Sequence, residues 1–310
     1  MPTTFTGLLF TARVVVYIFI VLFPLHLAAN EVTVPFHDIT INANLEMAPN
    51  KKLADGVIII THAGLAHRGM ELYIYLQSLL KDRGYNSLAV NFSLAINNRH
   101  GMYDCKKTHR HHYRDAADEI GAWVSWLKQQ GVNKVVLLGH SRGAAQAALF
   151  AAEQDNALLT SIILLAPDTQ ATNDADAYQR RYKTSLTPIL AKARQLVARG
   201  RGKEILEHTS ILYCKDTSVA AETFVSYYGP DPSLDTPFLI PKIVKPTLII
   251  IAGSDDIVVG SKEKFIPLSD SQKVTMKVID GAGHFFRDLN ADDAVDLMDI
   301  FLHNTGFATR

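Results

Sequence analysis

The segment from Asn133 to Phe150 reads NKVVLLGHSRGAAQAALF and changes character halfway along. Val135 to Leu138 form an unbroken apolar run, the pattern of a strand covered on both faces. From Ala144 onward the segment is rich in alanine, the strongest helix former. Between the two stands a serine with a glycine two positions away on each side, Gly139-His140-Ser141-Arg142-Gly143. A strand that turns directly into a helix at such a serine lifts its hydroxyl to the apex of a strained turn. The flanking backbones then come so close that only small residues fit. The N–H groups and positive end of the helix would face any negative charge that develops there.

Working outward, the same alternation recurs. DGVIIITHAG carries a continuous run from Val57 to Ile60 that ends in a loop of small residues. MELYIYLQSLLKDRG predicts a helix with Leu72, Tyr75, Leu76, Leu79 and Leu80 on its buried stripe and Gly84 at its stop. After the strand YNSLAVNFS, the segment RDAADEIGAWVSWLKQQG predicts a helix burying Ile120, Trp123, Val124 and Leu127. LTSIILLAP, PTLIIIAGSDD and KVTMKVIDGAGHFF read as further strands, and NADDAVDLMDIFLHNTG as a closing helix. Near the start, EVTVPFHDITINANLEMAP alternates apolar and polar residues as an antiparallel hairpin does. Strands alternating with helices of this length predict an α/β fold with a mostly parallel central sheet flanked by helices. The rhythm breaks over residues 168–245, where helical spacing from Leu186 to Val197 gives way to proline-punctuated chain. That stretch is expected to be an inserted helical cap, with Lys192, Arg194 and Arg199 on a solvated face.

Composition bounds the partners. The 310 residues are 48% hydrophobic and carry 31 basic and 31 acidic side chains, so no surplus charge favours a nucleic acid or another polyanion. Arg13 precedes VVVYIFIVLFPLHLAAN, an apolar run followed by the small pair Ala28-Ala29. Residues 1–29 are therefore expected to be a secretory signal peptide cut near Ala29, or else an uncleaved N-terminal anchor. Residues 30–310 would form one domain, exported to the periplasm or secreted, and membrane contact would arise only if the leader is retained. Of the two cysteines, Cys105 and Cys214, either a disulfide or a pair of buried thiols is expected.

With these residues in place, the chain after the leader resembles the α/β-hydrolase superfamily, in its serine esterase and lipase-like branch. That family carries a serine, an acid and a histidine in this order, each just past a strand. The resemblance implies Ser141 as nucleophile and, from VIDGAGHFF, His284 as base. In LIIIAGSDDIVV it implies Asp256, three residues after the glycine, as the acid, with Asp255 as the alternate. The oxyanion donors would be the N–H of Arg142 and, from the loop THAGLAHRG, that of Gly64 or of Leu65. Ala63 stands there in place of the family's usual glycine, and His62 is expected to brace the loop.

The implied activity is hydrolysis of a carboxylic ester or thioester of a small acyl substrate through an acyl-enzyme. Acyltransferases and peptidases share such a triad, and a binding protein could retain the fold without the chemistry. No cofactor or metal is expected: His100, His109, His111 and His112 follow no familiar zinc spacing and suit a polar loop over the site entrance. Tyr182, Tyr213, Tyr227 and Tyr228 are candidates to shape the acyl pocket.

Overall fold

The computed structural model describes residues 1–2, 30–269 and 272–308. The expected leader and its cleavage point at Ala29 lie outside the described residues. β1 (Asn30–Phe36) and β2 (Ile39–Glu46) pair antiparallel as the alternating pattern requires. There follow β3 (Val57–Thr61), α1 (Glu71–Asp82), β4 (Ser87–Asn91), α2 (Asp115–Gln129), β5 (Val135–His140), α3 (Arg142–Glu153) and β6 (Leu159–Leu165). After an insertion the sheet resumes with β9 (Thr247–Ala252), and α8 (Ser261–Phe265), β10 (Val274–Ile279) and α9 (Leu289–Asn304) complete the chain.

The eight strands lie in the order β1-β2-β4-β3-β5-β6-β9-β10. Only the first two pairings are antiparallel; the other five are parallel. Strand alternation sends Ile58 and Ile60 to the face covered by α1 and α9, where Leu76, Leu80, Met298 and Leu302 pack. Val57 and Ile59 face the opposite layer, built from Trp123 of α2 and Phe150 of α3. Central strands are thus apolar on both sides, and β5 is buried along its entire length.

The helical stripe of α1 departs from expectation in one residue. Tyr73 is the buried tyrosine, at 1% exposure, whereas Tyr75 is 40% exposed and bonds Asp292 at the surface.

The insertion between β6 and β9 holds α4 (Ala175–Tyr182), α5 (Leu186–Ala198), α6 (Ala221–Tyr228) and the short α7 (Thr236–Leu239). Alongside these expected helices it carries a two-stranded hairpin, β7 (Ile205–Ile211) and β8 (Cys214–Ala220). Lys192, Arg194 and Arg199 are exposed, as anticipated. The hairpin is tied to the loop before α2 by a disulfide, Cys105–Cys214, which closes a sequence separation of 109 residues. A parallel bridge between His109 and Val219 reinforces the tie, with His109 N–H on Ser218 O and Ala220 N–H on His109 O. Among the described residues, no helix is long and apolar enough to cross a membrane.

Candidate active site

Ser141 sits between β5 and α3 at φ 56° and ψ −123°, a conformation that costs an L-residue roughly 1–3 kcal/mol. The glycines on either side make the turn possible. A Cβ on Gly139 would stand 2.5 Å from the Ala144 Cα, and one on Gly143 would stand 2.5 Å from the His62 carbonyl oxygen. Neither neighbour is a movable side chain, so alanine at either position would force the backbones apart. The small-residue requirement inferred from the sequence therefore has its cause in the packing of α3 against β5 and the end of β3.

His284, in the loop after β10, brings Nε2 within 2.9 Å of Ser141 Oγ. Its Nδ1 lies 2.8 Å from Asp255 Oδ2. The expected acid, Asp256, is exposed, and the alternate, Asp255, occupies the position against His284. The reason is local. Asp255 Oδ1 accepts the N–H groups of both Ile257 and Val258 at 2.8 Å, which curls the chain around the carboxylate and leaves Oδ2 facing the imidazole. Burial raises the Asp255 pKa, but the bond to His284 and the two amides outweigh it and hold the carboxyl below its ordinary range. A carboxylate that stays ionised keeps the proton of His284 on Nδ1 and frees Nε2 to accept.

The histidine before Ser141 has a part that sequence reading did not assign. His140 Nε2 is 2.8 Å from the carbonyl oxygen of His284, which can only accept, so Nε2 carries the proton. Burial, aided by the nearby His284, lowers the His140 pKa to about 3 and keeps the ring neutral. Its Nδ1 therefore accepts from the Tyr73 hydroxyl at 3.0 Å, and the Tyr73 oxygen accepts the Ala63 N–H at 2.7 Å. A single buried chain of hydrogen bonds thus joins the loop after β3, the Ser141 turn and the His284 loop.

The loop after β3 is braced from below. His62 Nδ1 donates to the Ala63 carbonyl, and Nε2 accepts the N–H of Phe92 at 3.0 Å and Arg99 Nη2–H at 3.1 Å. Gly64 adopts φ +32°, and among the described residues neither its N–H nor that of Arg142 donates to another group. Leu65, the alternative, is buried and lines the same cavity. That cavity, about 350 Å³, opens onto Ser141 and His284 and is lined largely by apolar groups, including Met102, Ile257 and Phe285.

The histidine-rich loop is less polar than anticipated. His109 and His111 are fully buried; Nδ1 of His109 is 3.1 Å from Nε2 of His111, whose Nδ1 is 2.8 Å from the Tyr227 hydroxyl. Burial lowers both pKa values, that of His109 to about 4, so the pair is neutral and structural. His100 lies near Glu31, and His112 near Asp115 and Glu222. Of the four tyrosines expected at the pocket, Tyr213 lines the cavity. Tyr227 and Tyr228 are buried residues of the cap helix α6, and the Tyr182 hydroxyl oxygen accepts the Tyr213 N–H at 3.1 Å.

The model for the alpha/beta hydrolase family matches residues 58–297, and the chain belongs to that family. None of the curated proteins compared matches the sequence. Among solved structures, the fold is similar to Est1E from Butyrivibrio proteoclasticus, with TM-score 0.60 and 18% identity over 89% of this chain and 98% of that one. It is similar to a monoacylglycerol lipase from Paleococcus ferrophilus, with TM-score 0.60 and 16% identity over 86% and 99% of the two chains. It also resembles an esterase from Pyrococcus furiosus, with TM-score 0.59 and 18% identity over 88% and 89%. At these identities the likeness is one of fold.

Proposed function

We propose that this hydrolase is an exported serine esterase acting on a carboxylic ester or thioester through Ser141, His284 and Asp255. The single observation that carries this reading is the continuous row Asp255 Oδ2, His284 Nδ1, His284 Nε2, Ser141 Oγ, with contacts of 2.8 and 2.9 Å at the mouth of a cavity. Ser141 Oγ attacks the acyl carbon as its proton passes to His284 Nε2, and Asp255 supports the imidazolium that forms. The amides of Arg142 and Gly64 hold the tetrahedral oxyanion. The proton then moves to the departing alcohol or thiol, and a water activated by His284 releases the acid from Ser141. Esterases and a lipase among the similar structures support the ester class, and a mainly apolar cavity suits an acyl chain. Export is supported by the Cys105–Cys214 bridge, since disulfides persist in oxidising compartments.

A fluorophosphonate probe followed by peptide mapping tests the assignment. Label is expected on Ser141, and Ser141→Ala is expected to lose labelling together with roughly 10⁴-fold or more of ester hydrolysis. Undiminished hydrolysis by Ser141→Ala would remove the proposal.

A further inference from the structure

One wall of the cavity holds a guanidinium whose donors are only partly used. The Arg142 side chain is 5% exposed, with Nη2 3.1 Å from Asn173 Oδ1 and 3.2 Å from Asp168 Oδ2. The Tyr227 ring centroid lies 5.8 Å from its central carbon. Nε and Nη1 are buried and, among the described residues, have no hydrogen-bond partner. Nη1 reaches within 3.7 Å of the point where a Cβ on Gly64 would stand, and the Tyr213 ring comes within 3.8 Å of the same point. Of the unused donors, Nη1 therefore lies beside the loop that carries the Gly64 amide, with the aromatic tip of the cap hairpin close by.

A guanidinium has five donors and no acceptor, and leaving buried donors unpaired is costly. An apolar side chain could fill this wall without that cost, so the arginine needs a reason. Asp168, itself buried, already balances its charge. An anionic ligand here would bury an uncompensated negative charge, whereas a neutral oxygen would satisfy a donor and add no charge. Tyr213 is a suitable cover: it is 53% exposed, sits in the hairpin turn at φ 128°, and lies under the Arg181 guanidinium at 4.7 Å. With more than half of its surface exposed, the residue stands outside the buried core.

We propose that the Arg142 guanidinium is a recognition site for a neutral oxygen acceptor on the acyl group, within two carbons of the scissile carbonyl, with Tyr213 as its movable cover. The inference rests on the esterase reading above and names its substrate class as keto, hydroxy or alkoxy acyl esters.

Paired esters of matched shape test it. Methyl acetoacetate is compared with methyl isovalerate, and methyl pyruvate with methyl isobutyrate, each rate divided by that of hydroxide hydrolysis. The wild-type protein is expected to favour the keto ester by about 10- to 100-fold in kcat/KM in at least one pair. In Arg142→Met/Asp168→Asn, which removes both charges together, that ratio is expected to fall to near unity. Arg142→Lys retains the ion pair but loses the extra donors, so it should lower the ratio too and serves if the double variant does not fold. A wild-type ratio near unity in both pairs, or a ratio unchanged in the variants, overturns the inference. Preference for monomethyl malonate overturns the assignment to a neutral oxygen. If no ester is hydrolysed and Ser141 resists the fluorophosphonate, the esterase reading fails separately. Calorimetry with methyl acetoacetate against methyl isovalerate then still decides whether Arg142 selects an oxygen.

Discussion

Asp255 and Asp256 are adjacent carboxylates in opposite surroundings. The Asp255 side chain is 4% exposed and accepts from His284 and two amides, while Asp256 lies open to solvent. Asp255→Asn is expected to lower kcat by about 10³- to 10⁴-fold, because an amide can hold His284 in the wrong tautomer. Asp256→Asn is expected to stay within about twofold of wild type, as befits an exposed side chain. Steady-state kinetics on one ester measures both, and the reverse ranking would reject the assignment. The sequence showed that an acid follows this strand but not which one. Counting three residues from Gly253 reaches Asp256, and the curl set by the Ile257 and Val258 amides shortens the path by one. The serine turn was more legible, since only glycine satisfies its steric demand at 139 and 143. Arg142 was visible only through its backbone amide, because nothing in its neighbours' identities tells that Asp168 and Asn173 converge on its side chain.

Among the elements, three loops must keep fixed positions for the row of side chains to form, and the chain Ala63–Tyr73–His140–His284 spans all of them. Tyr73→Phe keeps the ring but leaves the Ala63 N–H and His140 Nδ1 without their partner. The loops it joins carry the Gly64 amide and His284, so the loss belongs to the transition state more than to substrate binding. The expected result is a kcat lower by about 10- to 100-fold, with KM changed by no more than about threefold. Measuring kcat, KM and the melting temperature together separates the readings. A lower melting temperature with unchanged kcat would reduce the chain to a structural role. The strands and helices themselves were readable from periodicity, but the orientation of α1 was ambiguous. Tyr75 lies three residues from Leu72 and Tyr73 three from Leu76, so either tyrosine continues a helical stripe. His140, a residue with no periodicity of its own, decides between them by accepting the inner hydroxyl. The hairpin of the cap escaped for a related reason: its strands are mixed in burial, and part of their pairing comes from the distant His109.

Across the whole molecule, one disulfide and a short set of backbone hydrogen bonds add to the apolar packing and side-chain contacts that hold the cap over the cavity. Cys105 itself lines the cavity, and its carbonyl accepts the Thr217 hydroxyl at 2.6 Å. A bridge across 109 residues removes much of the freedom of the unfolded chain, by about 4 to 5 kcal/mol in the chain-entropy account. Observed losses on removing such links are commonly about 2 to 5 kcal/mol. Cys105→Ala/Cys214→Ala is therefore expected to lower the urea midpoint of the oxidised protein to about that of the reduced wild type. In the folded state, the His109–Val219 bridge and the bonds to Ser218 and Ala220 should still seat the hairpin. Ester hydrolysis well below the melting temperature is accordingly expected to remain within about threefold of wild type, because the link acts mainly on the unfolded ensemble. Urea titrations with and without reductant, read beside activity at low temperature, distinguish the two effects. An unshifted midpoint would show that the link adds no stability, and lost activity with retained folding would show that the backbone pairing alone does not seat the cap.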